Sequence, residues 1–124
     1  MASELRVNTL KDASGNNSVG MSYVAEGTAK VIWDLDGTGT IALQDSFNVS
    51  SAVDNGTGYY TINYTNSFAT VNNMPLSHTI NVVAFDCTLT GAKDASSAQF
   101  YTMNATDGTL QDSKPFGSTH GDLA

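Results

Sequence analysis

DSFNVSSAVDNGTGYYTINYTNSF, residues 45–68, decides the fold. Phe47, Val49 and Val53 stand at odd positions and Tyr60, Ile62 and Tyr64 at even ones, with Asp54-Asn55-Gly56 and Gly58 between the two runs. Successive side chains of a strand point to opposite faces, so alternation of period two on both sides of a turn reads as a β-hairpin. Asn-Gly tolerates the positive φ that tight hairpin turns demand, and Thr57-Gly58 leaves room for a longer loop or a bulge.

Working outward, VIWDLDGTGTI (residues 31–41) reads as a strand over 31–35 and a Gly-Thr-Gly turn, followed by a strand over 40–43. Before it, Leu5 and Val7 alternate in LRVNTL, DASGNN (12–17) is a cluster of turn formers, and Val19, Met21 and Tyr23 resume the alternation. Residues 1–24 are therefore expected to form a thin β-arm, with residues 25–28 the joint to a β-domain spanning 25–124. Downstream, 68–77 reads as a connector broken by Asn72-Asn73 and Pro75. The run 78–89 is apolar on both faces and suits a central strand. Residues 90–97 read as an exposed loop and 98–105 as a further strand. The tail is mostly turn residues, with 115–120 able to add an edge strand, because Pro115 has no N–H to give to a ladder. About seven short strands between Gly, Asn and Asp turns predict an all-β fold, an antiparallel β-sandwich or jelly-roll-like domain.

A chain of 124 residues is long enough for one modest core. Only 14% of its residues are charged, and five basic residues face twelve acidic ones, for a formal net charge of −7. Nucleic acid draws its affinity from clustered Lys and Arg, so it is a poor partner for such a chain. No apolar stretch approaches the length of a bilayer span and no basic-then-apolar N-terminus is present, so neither membrane insertion nor a signal peptide is expected. Cys87 stands alone and cannot form an intramolecular disulfide; a reduced, buried thiol is expected.

Motifs for chemistry are few. Asp34-x-Asp36-Gly37-Thr38 after an apolar strand resembles the nucleophile motif of the haloacid dehalogenase superfamily, which would make Asp34 and Asp36 the catalytic pair of a metal-dependent phosphatase. That superfamily needs a parallel α/β sheet, and no convincing amphipathic helix is found; Lys93-Asp94 and Lys114 also lack the required context. Asp34 and Asp36 are at most weak calcium ligands, since the other positions of an EF-hand loop are missing. His78 and His120 have no ligand-spaced Cys or carboxylate, and no Ser sits in a G-x-S-x-G elbow. Catalytic residues and cofactors are accordingly expected to be absent. The five Asn-x-Ser/Thr triplets are what an Asn-, Ser- and Thr-rich chain produces by chance. Trp33, Tyr59, Tyr60 and Tyr64 could form a stacking platform for sugars, with packing as the default; Tyr59 is the candidate for contact with a receptor or glycan.

SELRVNTLKDASGNNSV at the N-terminus, NVSSAVDNGTGYYTINYTNSF at 48–68 and the closing GDLA resemble a family of bacteriophage tail-fibre and virion appendage proteins. The resemblance is clearest over 3–19 and 48–68 and weakest over 69–118. It implies a non-enzymatic virion structural protein, located on a tail appendage or on the capsid surface as a decoration protein. Its expected partners are two further copies in a homotrimer, neighbouring virion proteins and a host receptor. In the arm, Leu5, Val7, Leu10, Val19, Met21 and Tyr23 are the substantial apolar groups and the expected oligomerisation residues. Their surface is too small to order twenty residues in isolation, so it is expected to be covered by identical arms in a closed ring.

Overall fold

The computed structural model describes residues 3–80 and 86–124. Along them run β1 (Thr9–Lys11), β2 (Ser18–Gly20), α1 (Met21–Gly27), β3 (Val31–Asp36), β4 (Ala42–Phe47), β5 (Val49–Gly56) and β6 (Tyr59–Tyr64). β7 (Met74–Ile80), β8 (Asp86–Lys93), β9 (Ser97–Asn104) and β10 (Lys114–His120) complete the order. Three antiparallel sheets result: the hairpin β1-β2, a four-stranded sheet in the order β4-β3-β10-β7, and a second in the order β5-β6-β9-β8.

The two larger sheets form the sandwich that the alternation predicts. Val31, Trp33 and Leu35 of β3 face Tyr60, Ile62 and Tyr64 of β6 and Ala98 and Phe100 of β9, and all of them are buried in one cluster with Phe68. The indole of Trp33 stacks on Phe100 across the layers, with ring centroids 5.4 Å apart. Tyrosine hydroxyls that reach the core find partners: Tyr64 Oη lies 3.2 Å from Thr119 Oγ1, and Tyr60 Oη donates to Asp112 Oδ1 at 3.1 Å. Burial without such partners would cost several kcal/mol, on the order of 1–3 for each unsatisfied group.

The β5-β6 hairpin forms where its alternation places it, with a register shift at Asp54/Gly56 on the way into the turn. Phe47, however, does not continue into Val49. Asn48 adopts φ 57° between β4 and β5 and turns the chain from one sheet into the other. Its side chain makes the corner firm. Nδ2 donates to Lys30 O and Asn66 O, and Oδ1 accepts from Asn66 N at 2.8 Å. Asn is among the few side chains that occupy the left-handed region with local hydrogen bonds to offset its strain.

Several other expectations are corrected. Met21 and Tyr23 lie on a helix, not on the second strand of the arm, because β1 pairs with β2 only as far as Gly20. Met21 N–H makes the last bond across, to Asn8 O, and beyond it the backbone satisfies itself locally; Thr28 N–H and its hydroxyl donate to Val24 O, and Lys30 Nζ reaches Ala25 O at the C-terminal end. The connector 68–77 is shorter than expected, since β7 starts at Met74 and carries Pro75 on the edge of its sheet. The run 78–89 is not one central strand: it contributes to β7 and β8, which are edges of different sheets, and residues 81–85 of it lie outside the described residues. β8 extends through Lys93 into the expected loop, and the reversal is confined to an Asp94 turn in which Asp94 N–H donates to Ser97 O.

The largest correction concerns the tail. β10 lies between β3 and β7, in the middle of its sheet. Lys30 N–H donates to Thr119 O and Gly37 N–H to Ser113 O, so odd-numbered residues of this segment turn their backbone groups toward β3. Pro115 would be one of them, but the pairing with β3 begins at Phe116, and the missing N–H falls just outside that ladder. Gly117 is required here: a Cβ would stand 2.2 Å from Leu76 O and 2.4 Å from Trp33 Cζ2.

Asn48→Ala leaves a β-carbon in the left-handed region without its hydrogen bonds and should lower unfolding free energy by about 2–4 kcal/mol. Asn48→Gly should cost less, since only the hydrogen bonds are lost. Equilibrium denaturation of both variants measures the difference, and equal losses would show that the conformation is not what Asn48 supplies.

Candidate functional site

Because Tyr60, Ile62 and Tyr64 point into the core, Tyr59, Thr61 and Asn63 point out of it. The same holds on β9 for Gln99 and Tyr101, which alternate with buried Ala98, Phe100 and Thr102. The register sets Tyr59 opposite Tyr101 and Thr61 opposite Gln99. The two tyrosine rings stack with centroids 4.5 Å apart and planes 15° from parallel. Tyr59 Oη donates to Gln99 Oε1 at 2.8 Å, and Asn55 Nδ2 donates to Thr61 Oγ1 at 2.7 Å. The Tyr101 hydroxyl beside it raises the phenol pKa of Tyr59 above its ordinary value.

Gly56 lies opposite Tyr59 in the β5-β6 ladder, and nothing stands within 4 Å of where its side chain would be. Tyr59 thus has Tyr101 on one side and an open position on the other. A planar ring bordered by amides and hydroxyls offers a π-face to C–H groups and hydrogen bonds to a polyol. Of the four aromatics singled out in the sequence, Trp33, Tyr60 and Tyr64 are core residues and Tyr59 alone lies on this face. Tyr101 escaped sequence reasoning. Its alternation with Phe100 was visible, but only the β6-β9 register brings it beside Tyr59.

Asp34 and Asp36 do not converge on a common site. Asp34 is exposed on the outer face of β3, opposite Asp45 of β4. Asp36 is held by Lys114 Nζ at 2.7 Å and by the N–H and hydroxyl of Thr38. These contacts, led by Lys114, lower its pKa from 3.8 to about 2. The strands flanking the motif are antiparallel, unlike the parallel sheet that the dehalogenase reading requires. Among the described residues no group of three or more His, Cys, Asp or Glu could hold a metal ion. No helix among them is long and apolar enough to cross a membrane.

The arm presents its apolar side chains outward. Leu5, Val7, Leu10, Val19 and Tyr23 are exposed, Leu5 to 80%, while Met21 is half-buried. Leu10 pairs with Val19 across the hairpin, so these two share one face of it. Asp12 organises the turn, accepting from Ser14 Oγ, Asn16 N and Asn17 Nδ2, which together lower its pKa. No protein-family model, curated protein or solved structure matches this chain.

Two outcomes follow from this geometry. In a double-mutant cycle, Tyr59→Ala and Tyr101→Ala should show a coupling of about 0.5–1.5 kcal/mol in unfolding free energy, the worth of a stacked pair beyond its area; additivity would mean the rings stack without gain. Asp36, with its lowered pKa, contributes stability that is fully present above its ordinary value of 3.8 and is lost as pH falls through about 2. Lys114→Ala should move the Asp36 midpoint upward in a carboxylate NMR titration and bring the acid transition to higher pH.

Proposed function

We propose that this chain is a non-enzymatic structural protein of a bacteriophage virion, a tail-fibre-like appendage whose arm joins copies into a homotrimer and whose β-domain contacts a host receptor. The observation that carries this reading is the arm. A hairpin of three-residue strands is marginal alone, yet it holds Leu10 and Val19 exposed in a single copy, and the segment leading into it leaves Leu5 and Val7 exposed as well. Such a surface is suited to burial between chains. The LRVNTL-KDASGNN pattern of this arm also carries the resemblance to phage appendage proteins.

Receptor contact is assigned to the face of Tyr59, Tyr101, Gln99 and Thr61, and a glycan is the chemistry that fits stacked rings among amides and hydroxyls. A role as capsid decoration protein, anchored through the same arm, is the alternative. Immunogold labelling of intact particles separates the two by showing label on tail or head, and label on neither would overturn both.

Full-length protein should be trimeric by light scattering, and deletion of residues 1–23 should give a folded monomer, or an aggregating chain if the uncovered surface is too apolar. A full-length monomer at micromolar concentration would refute the oligomerising role of the arm.

A further inference from the structure

The outer face of the β4-β3-β10-β7 sheet is unusually apolar for a surface. Ladder partners run across it in rows, Phe47 beside Ile32, Ile32 beside Ser118 and Ser118 beside Leu76. The neighbouring row is Asp45, Asp34, Phe116 and His78. Phe47, Ile32, Phe116 and Leu76 are all exposed, Phe47 to 60%. Between Ile32 and Phe116 lies a groove of about 340 Å³ whose lining includes Trp33, Gly117, Asp34 and Asp45. Asp34 and Asp45 stand directly opposite each other, an arrangement of like charges that destabilises a ladder unless a cation offsets it. Neither forms an ion pair among the described residues.

We propose that this face receives the N-terminal arm of a neighbouring copy of the chain. Charge complementarity selects that occupant. Residues 3–11 carry Arg6 and Lys11 against Glu4, a net charge of +1 in a chain whose total is −7; Glu4 holds Arg6 at 2.9 Å in the single copy, which leaves Lys11 as the basic side chain with no ion pair among the described residues. They also carry Leu5, Val7 and Leu10, the apolar groups exposed in a single copy. The arm therefore brings apolar side chains for Phe47, Ile32 and Phe116, and the long Lys11 side chain to reach Asp34 and Asp45 at the rim, where Arg6 can follow by exchanging Glu4 for an aspartate. In its own chain the hairpin pairs with neither large sheet. Exchange between copies buries both surfaces at once and repeats around a closed ring. This inference rests on the reading of the arm as the oligomerising element and adds where the arm lands.

The test uses full-length protein as an equal mixture of ¹⁴N- and ¹⁵N-labelled chains, treated with a carbodiimide that joins an amine to a carboxylate in direct contact. The expected result is a mixed-isotope cross-link from Lys11 to Asp34 or Asp45. The double variant Asp34→Lys/Asp45→Lys should weaken self-association by about tenfold or more, and adding Arg6→Glu and Lys11→Glu should restore it. Restoration also shows that the reversed chains fold. An oligomer that persists unchanged in the double variant, or a cross-link confined to single-isotope chains, would overturn the docking site while leaving an oligomerising arm in place. A monomer by light scattering would overturn both and assign the face to another protein.

Discussion

The sandwich depends on the corner at Asn48. Without a left-handed residue there, β4 and β5 would continue as one long strand, and the apolar sides of 42–47 and 49–56 could not belong to two facing layers. The Asn48 carboxamide holds the backbone of the β3 approach at Lys30 and of the β6 exit at Asn66, so one side chain ties both sheets at the point where the chain passes between them. The Trp33–Phe100 stack and the Tyr64–Thr119 contact then bridge the layers that this corner has set face to face.

The C-terminal strand completes what the corner begins. β3 and β7 are joined only through β10, which is added from more than thirty residues beyond β7's last pairing residue. Such non-local pairing requires loop closure before it is rewarded, and it makes the first sheet the slower one to assemble. The segment between β9 and β10 is tied down on the way: Thr102 Oγ1 donates to Gln111 O, and Asp112 accepts from Gly58 N–H and Tyr60 Oη. Tyr60 is consequently buried beside a carboxylate, which pushes its phenol up to about 12, with burial the larger cause.

The two outer faces of the sandwich have different chemistries. The β5-β6-β9-β8 face shows hydroxyls, amides and a tyrosine stack, whereas the β4-β3-β10-β7 face shows Phe47, Ile32, Phe116 and Leu76 around a pair of aspartates. A polar aromatic face can stay in water until a ligand arrives, while an apolar one is better covered. In the proposed appendage, contact with a receptor and contact between copies thus fall on opposite sides of one small domain.

Local pattern was enough to identify the all-β class, the β5-β6 hairpin around Asn55-Gly56, and the strands at 31–35 and 98–105, which form as Val31–Asp36 and Ser97–Asn104, because period-two alternation and turn chemistry act within a few residues. It also singled out Tyr59 as the candidate contact residue among the aromatics, and the six apolar groups of the arm. What lay beyond it were the features set by partners distant in sequence. α1 replaces a strand because β1 ends, β10 is central because it pairs with β7 on one side and with the side of β3 away from β4 on the other, and Tyr101 meets Tyr59 only through the β6-β9 register. The apolar sheet face is likewise invisible in the chain, where Ile32, Phe47, Leu76 and Phe116 are far apart. Alternation tells which residues share a side of one strand; hydrogen-bond pairing between strands, a tertiary choice, decides which sides are brought together.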